Sequence, residues 1–135
     1  MAEVFFDTNI LLYLLSGDTS KACRAEELIA SCGVISVQVL NEFVAVAVRK
    51  HALEIDEIRE ILSTVRRLCV VRPVDIETHE LALDLAEARH FSIYDALIIA
   101  AALRSACTIL YSEDLQHNQR IEKLTIRNPF VGQLN

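Results

Sequence analysis

The chain has 135 residues, of which 53% are apolar, and its 13 basic and 19 acidic side chains give a formal charge of −6. This length is typical of one domain, so we expect a single domain over residues 1–135. The chain contains only three glycines and two prolines, and it is rich in apolar residues. This composition excludes a disordered or a collagen-like protein. Its longest uninterrupted apolar run, residues 96–103, is far shorter than the ~20 residues of a membrane-spanning helix.

The N-terminus and the cysteines are typical of a cytoplasmic protein. The first apolar stretch lies between Glu3 and Asp7, and no basic segment precedes it as in a secretory signal. The four cysteines have the spacing of neither a zinc site nor a disulfide framework, so we expect reduced, buried thiols. The acidic charge argues at first against a nucleic-acid partner, because phosphate binding usually accompanies a basic excess.

Apolar runs and breakers along the chain predict strands and helices in turn. In chain order we expect a strand at 4–6, helices at 10–15 and 19–31, a strand at 34–36, helices at 37–50 and 55–68, a strand at 69–71, helices at 75–89 and 92–105, and strands at 108–111 and 124–126. This alternation predicts an α/β fold with a central, mostly parallel sheet that has helices on both faces.

Two acids lie in segments that are otherwise apolar. Glu42 lies in VQVLNEFVAVAV, which predicts a core helix, and an unpaired carboxylate there would be strongly destabilising or would shift its pKa. Glu42 therefore needs a partner or a pocket, unless it lies exposed on a narrow polar stripe with Asn41. Asp95 precedes ALIIAAAL, where it fits either a functional group or a capping box with Ser92.

Two further acids follow predicted strands. Asp7 in FFDTNILLY and Asp114 in YSEDLQHN each lie just beyond a strand, where open α/β sheets bind ligands. Each alone fits an ordinary turn, and Asp7 or Asn9 could simply cap a helix. Together with Glu42 and Asp95, however, they would repel one another at one sheet edge unless a cation held them. Oxygen ligands without His or Cys favour Mg²⁺ or Mn²⁺, so these residues predict metal-assisted phosphoester hydrolysis.

At these residues the sequence resembles the PIN-domain ribonucleases, and most closely the VapC-type toxins of toxin–antitoxin pairs. The resemblance extends over nearly the whole chain through FDTNILLY, NEF, SIYDALIIAAAL, YSEDLQH and IRNPF, in that order. It implies a PIN-like domain that cleaves RNA with the help of a divalent metal. Within the family, YSEDLQHNQ is similar to members that cut transfer RNA, notably initiator tRNA.

The resemblance also implies roles for individual residues. The family's acidic quartet falls on Asp7, Glu42, Asp95 and Asp114. The first three would hold the principal Mg²⁺ or Mn²⁺, and the last would hold a second ion or position the attacking water. Ser112 supplies the hydroxyl that the family often has two residues before its last acid, and Asn9 would orient Asp7. Glu113 is an extra acid, which we expect to be a solvated surface residue.

Binding partners can be proposed on similar grounds. Arg120 and Lys123 are close in sequence to the last acid, so they are our candidates for contacts with RNA phosphates. The first two helical runs carry more apolar side chains than a small sheet can cover, and such surfaces usually bind partners. By resemblance, they would form a homodimer interface and a groove for an antitoxin. An antitoxin tail could place a basic side chain among the four acids.

A non-catalytic alternative remains, namely a receiver-like α/β module that senses metal or phosphate. Such modules place a Lys after a late strand, where this chain has Ser112, Glu113 and Asp114. The negative charge is compatible with the nuclease, since the 19 acids less the four proposed ligands leave 15 against 13 bases, or −2. Two divalent ions would offset the four proposed ligand carboxylates in full, so we expect metal-free protein to bind RNA poorly.

Overall fold

The structure, a computed structural model, describes residues 3–131 of the chain. Its strands are β1 (Val4–Phe6), β2 (Gly33–Ser36), β3 (Cys69–Arg72), β4 (Ile109–Tyr111), β5 (Arg120–Ile121) and β6 (Leu124–Arg127). Its helices are α1 (Thr8–Leu12), α2 (Thr19–Ala30), α3 (Val37–His51), α4 (Ile55–Leu68), α5 (Ile76–Arg89) and α6 (Ile93–Arg104), with a 3₁₀ turn at Tyr13–Leu15. Among these residues, no helix combines the length and the apolar character that crossing a membrane requires.

The six strands form one sheet in the order β3-β2-β1-β4-β6-β5. All neighbouring strands are parallel except β5 and β6, which form an antiparallel pair at one edge. Strands β1, β2 and β3 form one half of the sheet, and β4, β5 and β6 form the other. The strand order therefore reverses between β1 and β4, which lie side by side. Open α/β sheets bind ligands at such a switch point, beyond the carboxyl ends of the strands. We refer to the ends of β1 and β4 at Phe6 and Tyr111 as the carboxyl edge.

The core lies on both sides of this sheet, as the sequence predicts. Phe5 and Phe6 are consecutive in β1 and both are fully buried, although their side chains point to opposite faces. The same holds for Val34 and Ile35 in β2, which are almost completely buried. Near-continuous apolar strands of this kind are typical of parallel sheets covered on both faces. The predicted α/β architecture is therefore confirmed.

The boundaries differ from the predicted ones by a few residues, and one strand was missed. Helix α1 begins at Thr8 rather than residue 10, because Asp7 caps it, and the run then tightens into the 3₁₀ turn. Strand β5 has only two residues and a polar Arg120, so the sequence carries no strand signal there. Cys23 and Cys32 are exposed, which corrects the expectation that all four thiols are buried.

The exposed apolar surface is not on the first two helical runs, where the sequence predicts it. Every large hydrophobic side chain of residues 10–15 and 19–31 is buried or half-buried, because α2 packs against the 3₁₀ turn. Helix α3 was expected in the core, yet it has an open side with Val37 and Val48 at 40% and 46% exposure. The other large exposed hydrophobics among residues 3–131 are Ile55, Val70, Val74, Ile76, Leu83, Tyr94 and Val131.

Strand β2 passes so close to β1 that Gly33 has no space for a side chain. A Cβ atom at Gly33 would lie 2.5 Å from Cε2 of Phe6 and 3.0 Å from the carbonyl oxygen of Val4. We expect Gly33→Ala to lower the free energy of unfolding by about 1–3 kcal/mol in urea titrations, because the buried ring must shift. Gly17→Ala is the control, since a Cβ there meets no atom within 4 Å. Equal stability of the two variants would contradict this account of the packing.

Candidate metal centre

Asp7 lies at the carboxyl edge, where β1 passes into α1. Its backbone N–H donates to the carbonyl of Tyr111 at 3.0 Å, which continues the pairing of β1 with β4. Its carboxylate accepts the Thr8 N–H at 2.7 Å through Oδ1, so Asp7 is the N-cap of α1. Its Oδ2 accepts the Ser112 hydroxyl at 2.8 Å. Asp7 is only 7% exposed, so the sequence places a carboxylate with a defined orientation inside the protein.

Ser112 connects the ends of the two central strands. Its backbone N–H donates to the carbonyl of Arg127 at 3.0 Å, just beyond the end of β4. Its fully buried hydroxyl donates to Asp7 and accepts the N–H groups of Asp114 at 3.2 Å and Leu115 at 3.4 Å. The loop after β4 therefore turns back over Ser112, and this turn brings Asp114 to the carboxyl edge.

Asn9 holds this loop from the opposite side, in the first turn of α1. Its Nδ2 donates to Oδ2 of Asp114 at 3.1 Å, and its Oδ1 accepts the N–H of Glu113 at 3.2 Å. Nδ2 also lies 3.4 Å from the Ser112 hydroxyl, through which it reaches Asp7 indirectly. The sequence-based expectation was that Asn9 orients Asp7. In the structure Asn9 orients Asp114 instead, and Ser112 orients Asp7.

Glu42 comes to the same region from the second turn of α3. It is half-buried, and its Oε1 accepts the Thr8 hydroxyl at 2.9 Å and the Gln38 amide at 3.3 Å. Glu42 therefore has the partners that burial requires, and it is not an exposed member of a polar stripe. The other amide atom, Oε1 of Gln38, is buried and has no hydrogen-bond partner among the described residues. It is a free acceptor beside the Glu42 carboxylate.

Asp95 lies in the first turn of α6 and is half-buried. Its N–H donates to the Ser92 hydroxyl at 3.2 Å, so half of the expected capping box is present. Within residues 3–131 its carboxylate accepts no hydrogen bond, and it remains available for another role. Gln38 donates to the carbonyl of Tyr94 at 3.2 Å as well as to Glu42, which ties this turn of α6 to α3.

Two of the other proposed acids influence the carboxylate of Asp7. Burial raises the pKa of Asp7 to about 6, against the hydrogen bonds from Ser112 and Thr8, which lower it. The negative charges of Glu42 and Asp114 raise this pKa further. A bound cation would relieve that repulsion and would favour the ionised carboxylate.

The donor set suits a hard divalent cation, because it consists of oxygen atoms only. No three His, Cys, Asp or Glu side chains within residues 3–131 are clustered closely enough to enclose an ion as they stand. Asp7 is already fixed by its hydrogen bonds, whereas the carboxylates of Asp95 and Asp114 are less buried. The donor chemistry at this edge fits a divalent ion, and the carboxylates would have to come closer together to enclose it.

The structure does not bring the two expected RNA contacts to this edge. Lys123 precedes the first residue of β6, and the parallel register places that end of β6 beside the start of β4, at the opposite edge of the sheet. Arg120 is exposed on the outermost strand, where its Nε donates to the carbonyl of Glu122 at 3.3 Å, also toward the opposite edge. Arg120 and Lys123 are therefore close to Asp114 in sequence but lie toward the opposite edge of the sheet.

A cation that the sequence does not predict lies near the Asp114 loop. The Lys21 ammonium, in α2, lies 3.5 Å from Oε2 of Glu113. The expectation that Glu113 is a solvated surface residue is wrong, because the Tyr13 hydroxyl also donates to it. Lys21 and Glu113 are 92 residues apart in sequence, so no local pattern could have paired them.

Comparison with known proteins gives the family. The PIN domain family matches residues 4–123. The chain belongs to the PIN domain family. Nucleases of this family generally use divalent metal ions, which agrees with the oxygen-only donor set and favours a nuclease over a receiver-like module. In direct sequence comparison, no curated protein matches the chain.

Solved structures share the fold over nearly the whole chain. A toxin–antitoxin complex from Klebsiella pneumoniae has a TM-score of 0.71 and 24% identity, with 93% of this chain and 97% of that chain covered. DNA-bound VapBC from Salmonella typhimurium has a TM-score of 0.69 and 19% identity, with 96% and 99% covered. VapC20 of Mycobacterium tuberculosis, described as a sarcin–ricin loop cleaving toxin, has a TM-score of 0.66 and 22% identity, with 82% and 89% covered. At these identities the likeness shows a common fold.

The raised pKa of Asp7 predicts how the stability of the metal-free protein depends on pH. Because the folded pKa of about 6 exceeds the ordinary value of 3.8, the buried carboxylate destabilises the fold progressively as pH rises from 3.8 to about 6, and this destabilisation is complete above that pH. Asp7→Asn removes this term, so its stability relative to the wild type should rise by about 2 kcal/mol between pH 4.5 and 7.5. Urea titrations in chelator measure this difference.

Asp84→Asn is the matched control, because Asp84 is an exposed acid on α5. Its stability relative to the wild type should stay nearly constant over the same pH range. If the wild type and Asp7→Asn had parallel pH profiles, the pKa of Asp7 would not be raised in the folded protein.

Proposed function

We propose that this PIN domain is a metal-dependent endoribonuclease, a VapC-like toxin that hydrolyses phosphodiester bonds of RNA. The observation that carries the proposal is the convergence of Asp7, Glu42 and Asp114 at the carboxyl edge, where burial raises the pKa of Asp7 and the charges of Glu42 and Asp114 raise it further. Like charges at this edge repel one another, and a bound cation would offset them. The VapC-like fold of the whole chain supports the toxin assignment.

The proposed metal ligands are Asp7, Glu42, Asp95 and Asp114. We assign the principal Mg²⁺ or Mn²⁺ to the first three, whereas Asp114 would hold a second ion or position the attacking water. A bound divalent ion supplies an acidified water molecule and offsets negative charge that develops on the phosphoryl group. The ligand set contains no thiolate or imidazole, which supports a hard ion over zinc.

The surrounding residues would set the positions of these ligands. Thr8 donates its backbone N–H to Asp7 and its hydroxyl to Glu42, so one residue fixes two ligands relative to each other. Ser112 similarly holds Asp7 and the backbone of Asp114. A metal site whose ligands are already oriented by hydrogen bonds loses less conformational freedom on binding its ion.

The substrate that we propose is transfer RNA, with initiator tRNA to be tested first. The support is the likeness of YSEDLQHNQ to the family members that cut tRNA. The M. tuberculosis neighbour is described as cleaving the sarcin–ricin loop, so an RNA with that loop is the natural comparison substrate. With a net charge of −6, the chain should bind RNA poorly until metal ions offset the acids of the site.

A cognate VapB-like antitoxin is the proposed inhibitor. The Klebsiella, Salmonella and Rickettsia felis neighbours are toxin–antitoxin complexes. In this chain a cleft of about 440 Å³ between α2 and α4 would suit the apolar face of a partner helix. Its apolar lining is Leu14, Ile29, Ala30, Ile61, Val65 and Leu68. An antitoxin tail could also place a basic side chain among the four acids and so oppose metal or substrate binding.

We also propose a homodimer, but on a different surface from the one that the sequence predicted. A second cleft is lined by Val37, Val74 and Tyr94, all of which are exposed by 38% or more. Exposed apolar side chains around one cleft are typical of a surface that a partner covers. This surface lies beside Glu42, which lines the same cleft, so a dimer would bring its interface close to the proposed metal site.

Neutralising a proposed ligand should abolish RNA cleavage. We expect Asp7→Asn to lower the rate of tRNA hydrolysis in Mg²⁺ or Mn²⁺ by at least about a hundredfold, because it removes a charge that holds the ion. Asp84→Asn makes the same chemical change on the surface of α5 and should keep wild-type activity. Gel analysis of end-labelled RNA measures both.

Full activity of Asp7→Asn would refute the assigned site. If the wild-type protein bound Mn²⁺ but left tRNA and other RNAs intact, a non-catalytic binding module would become the better description.

A further inference from the structure

Glu113 lies between Ser112 and Asp114, yet its side chain takes no part in the metal centre. One carboxylate oxygen accepts the Tyr13 hydroxyl, and the other lies 3.5 Å from the Lys21 ammonium. Both oxygens are therefore already engaged. Glu113 is thus an unsuitable fifth ligand, although it is adjacent in sequence to a proposed one.

Lys21 is held tightly in this arrangement. Its ammonium donates to the Tyr13 hydroxyl at 3.3 Å and lies 4.9 Å from the centre of the Tyr13 ring. The Phe130 ring centre is 5.5 Å away, and the two rings pack edge to face at 4.6 Å. A cation between two aromatic rings and a carboxylate is fixed from several directions. The 3₁₀ turn, α2 and the C-terminal segment are thereby joined to the loop after β4.

The backbone of Glu113 connects Lys21 and Tyr13 to Asp114 through Asn9. Its N–H donates to Oδ1 of Asn9 at 3.2 Å, and the amide group of the same Asn9 donates to Asp114 at 3.1 Å. Asp114 is itself exposed, so burial does not restrain its carboxylate. Its position depends instead on hydrogen bonds within the loop and on what holds Glu113.

The charges have a second consequence. Glu113 places a negative charge directly beside Asp114, in a region that already contains Asp7 and Glu42. Lys21 offsets that charge locally, because the two side chains are partly shielded from solvent, with exposures of 37% and 31%. The loop can therefore carry an extra acid without adding to the repulsion among the proposed ligands.

We propose that Tyr13, Lys21 and Glu113 form a clamp that positions Asp114 at the carboxyl edge. They are positioning residues, since none of them is a proposed metal ligand and they act on Asp114 through the loop and Asn9. The relevance of the clamp to catalysis rests on the proposed function, whereas its effect on the loop does not. The two can therefore be tested separately.

Amide hydrogen exchange followed by NMR tests the clamp without any assay of activity. The double variant Tyr13→Phe with Lys21→Met keeps the ring and the aliphatic stem but removes both donors to Glu113. We expect the amides of Glu113, Asp114 and Leu115 to exchange on the order of tenfold faster, because their hydrogen bonds open more often. The amide of Leu110, in the middle of β4, should be unchanged.

Two matched variants control for charge and chemistry. Lys50→Met removes an exposed lysine at the end of α3 and should leave the loop amides at their wild-type rates. Lys21→Arg, made alone, keeps a cation over the rings. Its loop amides should therefore keep most of the wild-type protection from exchange that the double variant loses. Wild-type exchange rates at all three loop amides in the double variant would overturn the proposal.

Kinetics then test whether the clamp matters for catalysis. Glu113→Ala should lower kcat of RNA cleavage by about tenfold with KM nearly unchanged, since it disturbs the position of Asp114 and not substrate binding. Glu113→Gln, which still accepts from Tyr13, should lose less. Faster loop exchange with an unchanged kcat would overturn the positioning role. If the wild type cleaved no RNA, the proposed function would be refuted. The clamp would then be tested by the amide exchange rates alone.

Discussion

The burial of the Asp7 carboxylate is the constraint on which the rest of the site depends. A parallel sheet brings the ends of β1 and β4 side by side, and it places Asp7 where solvent cannot screen its charge. Ser112 and Thr8 stabilise the ionised form, but they do not overcome burial and the charges of Glu42 and Asp114, because the pKa of Asp7 remains near 6. The fold thus maintains a local excess of negative charge that a divalent cation would offset.

Much of the fold could be predicted from the sequence, because its signals are local. Short apolar runs bounded by breakers mark the strands, and the periodicity of Ile58 and Val65 marks the buried side of α4. The site was predictable in part for the same reason. Acids directly after apolar strands, or inside apolar helices, are unusual, and a parallel sheet leaves few places where they can go. Hence Asp7 and Glu42 could be linked before any distance was known.

The parts that could not be predicted depend on contacts between distant segments. Asn9 contacts Asp114 across 105 residues, and Lys21 contacts Glu113 across 92, and no spacing in the sequence encodes either pair. Lys123 is close to Asp114 in sequence, but a chain reversal through β5 carries it to the far edge of the sheet. The open side of α3 could not be predicted, because an apolar helix that is buried on all sides and one that leaves apolar side chains exposed have the same composition.

Binding of Mn²⁺, followed by electron paramagnetic resonance of the free ion, tests the central claim most directly. The claim is that the acids at the carboxyl edge form one divalent-ion site, and the measurement needs neither substrate nor antitoxin. We expect the wild type and Asp84→Asn to bind Mn²⁺ equally and Asp7→Asn to bind it at least about tenfold more weakly. Equal binding by all three proteins, or no binding by the wild type, would contradict the claim.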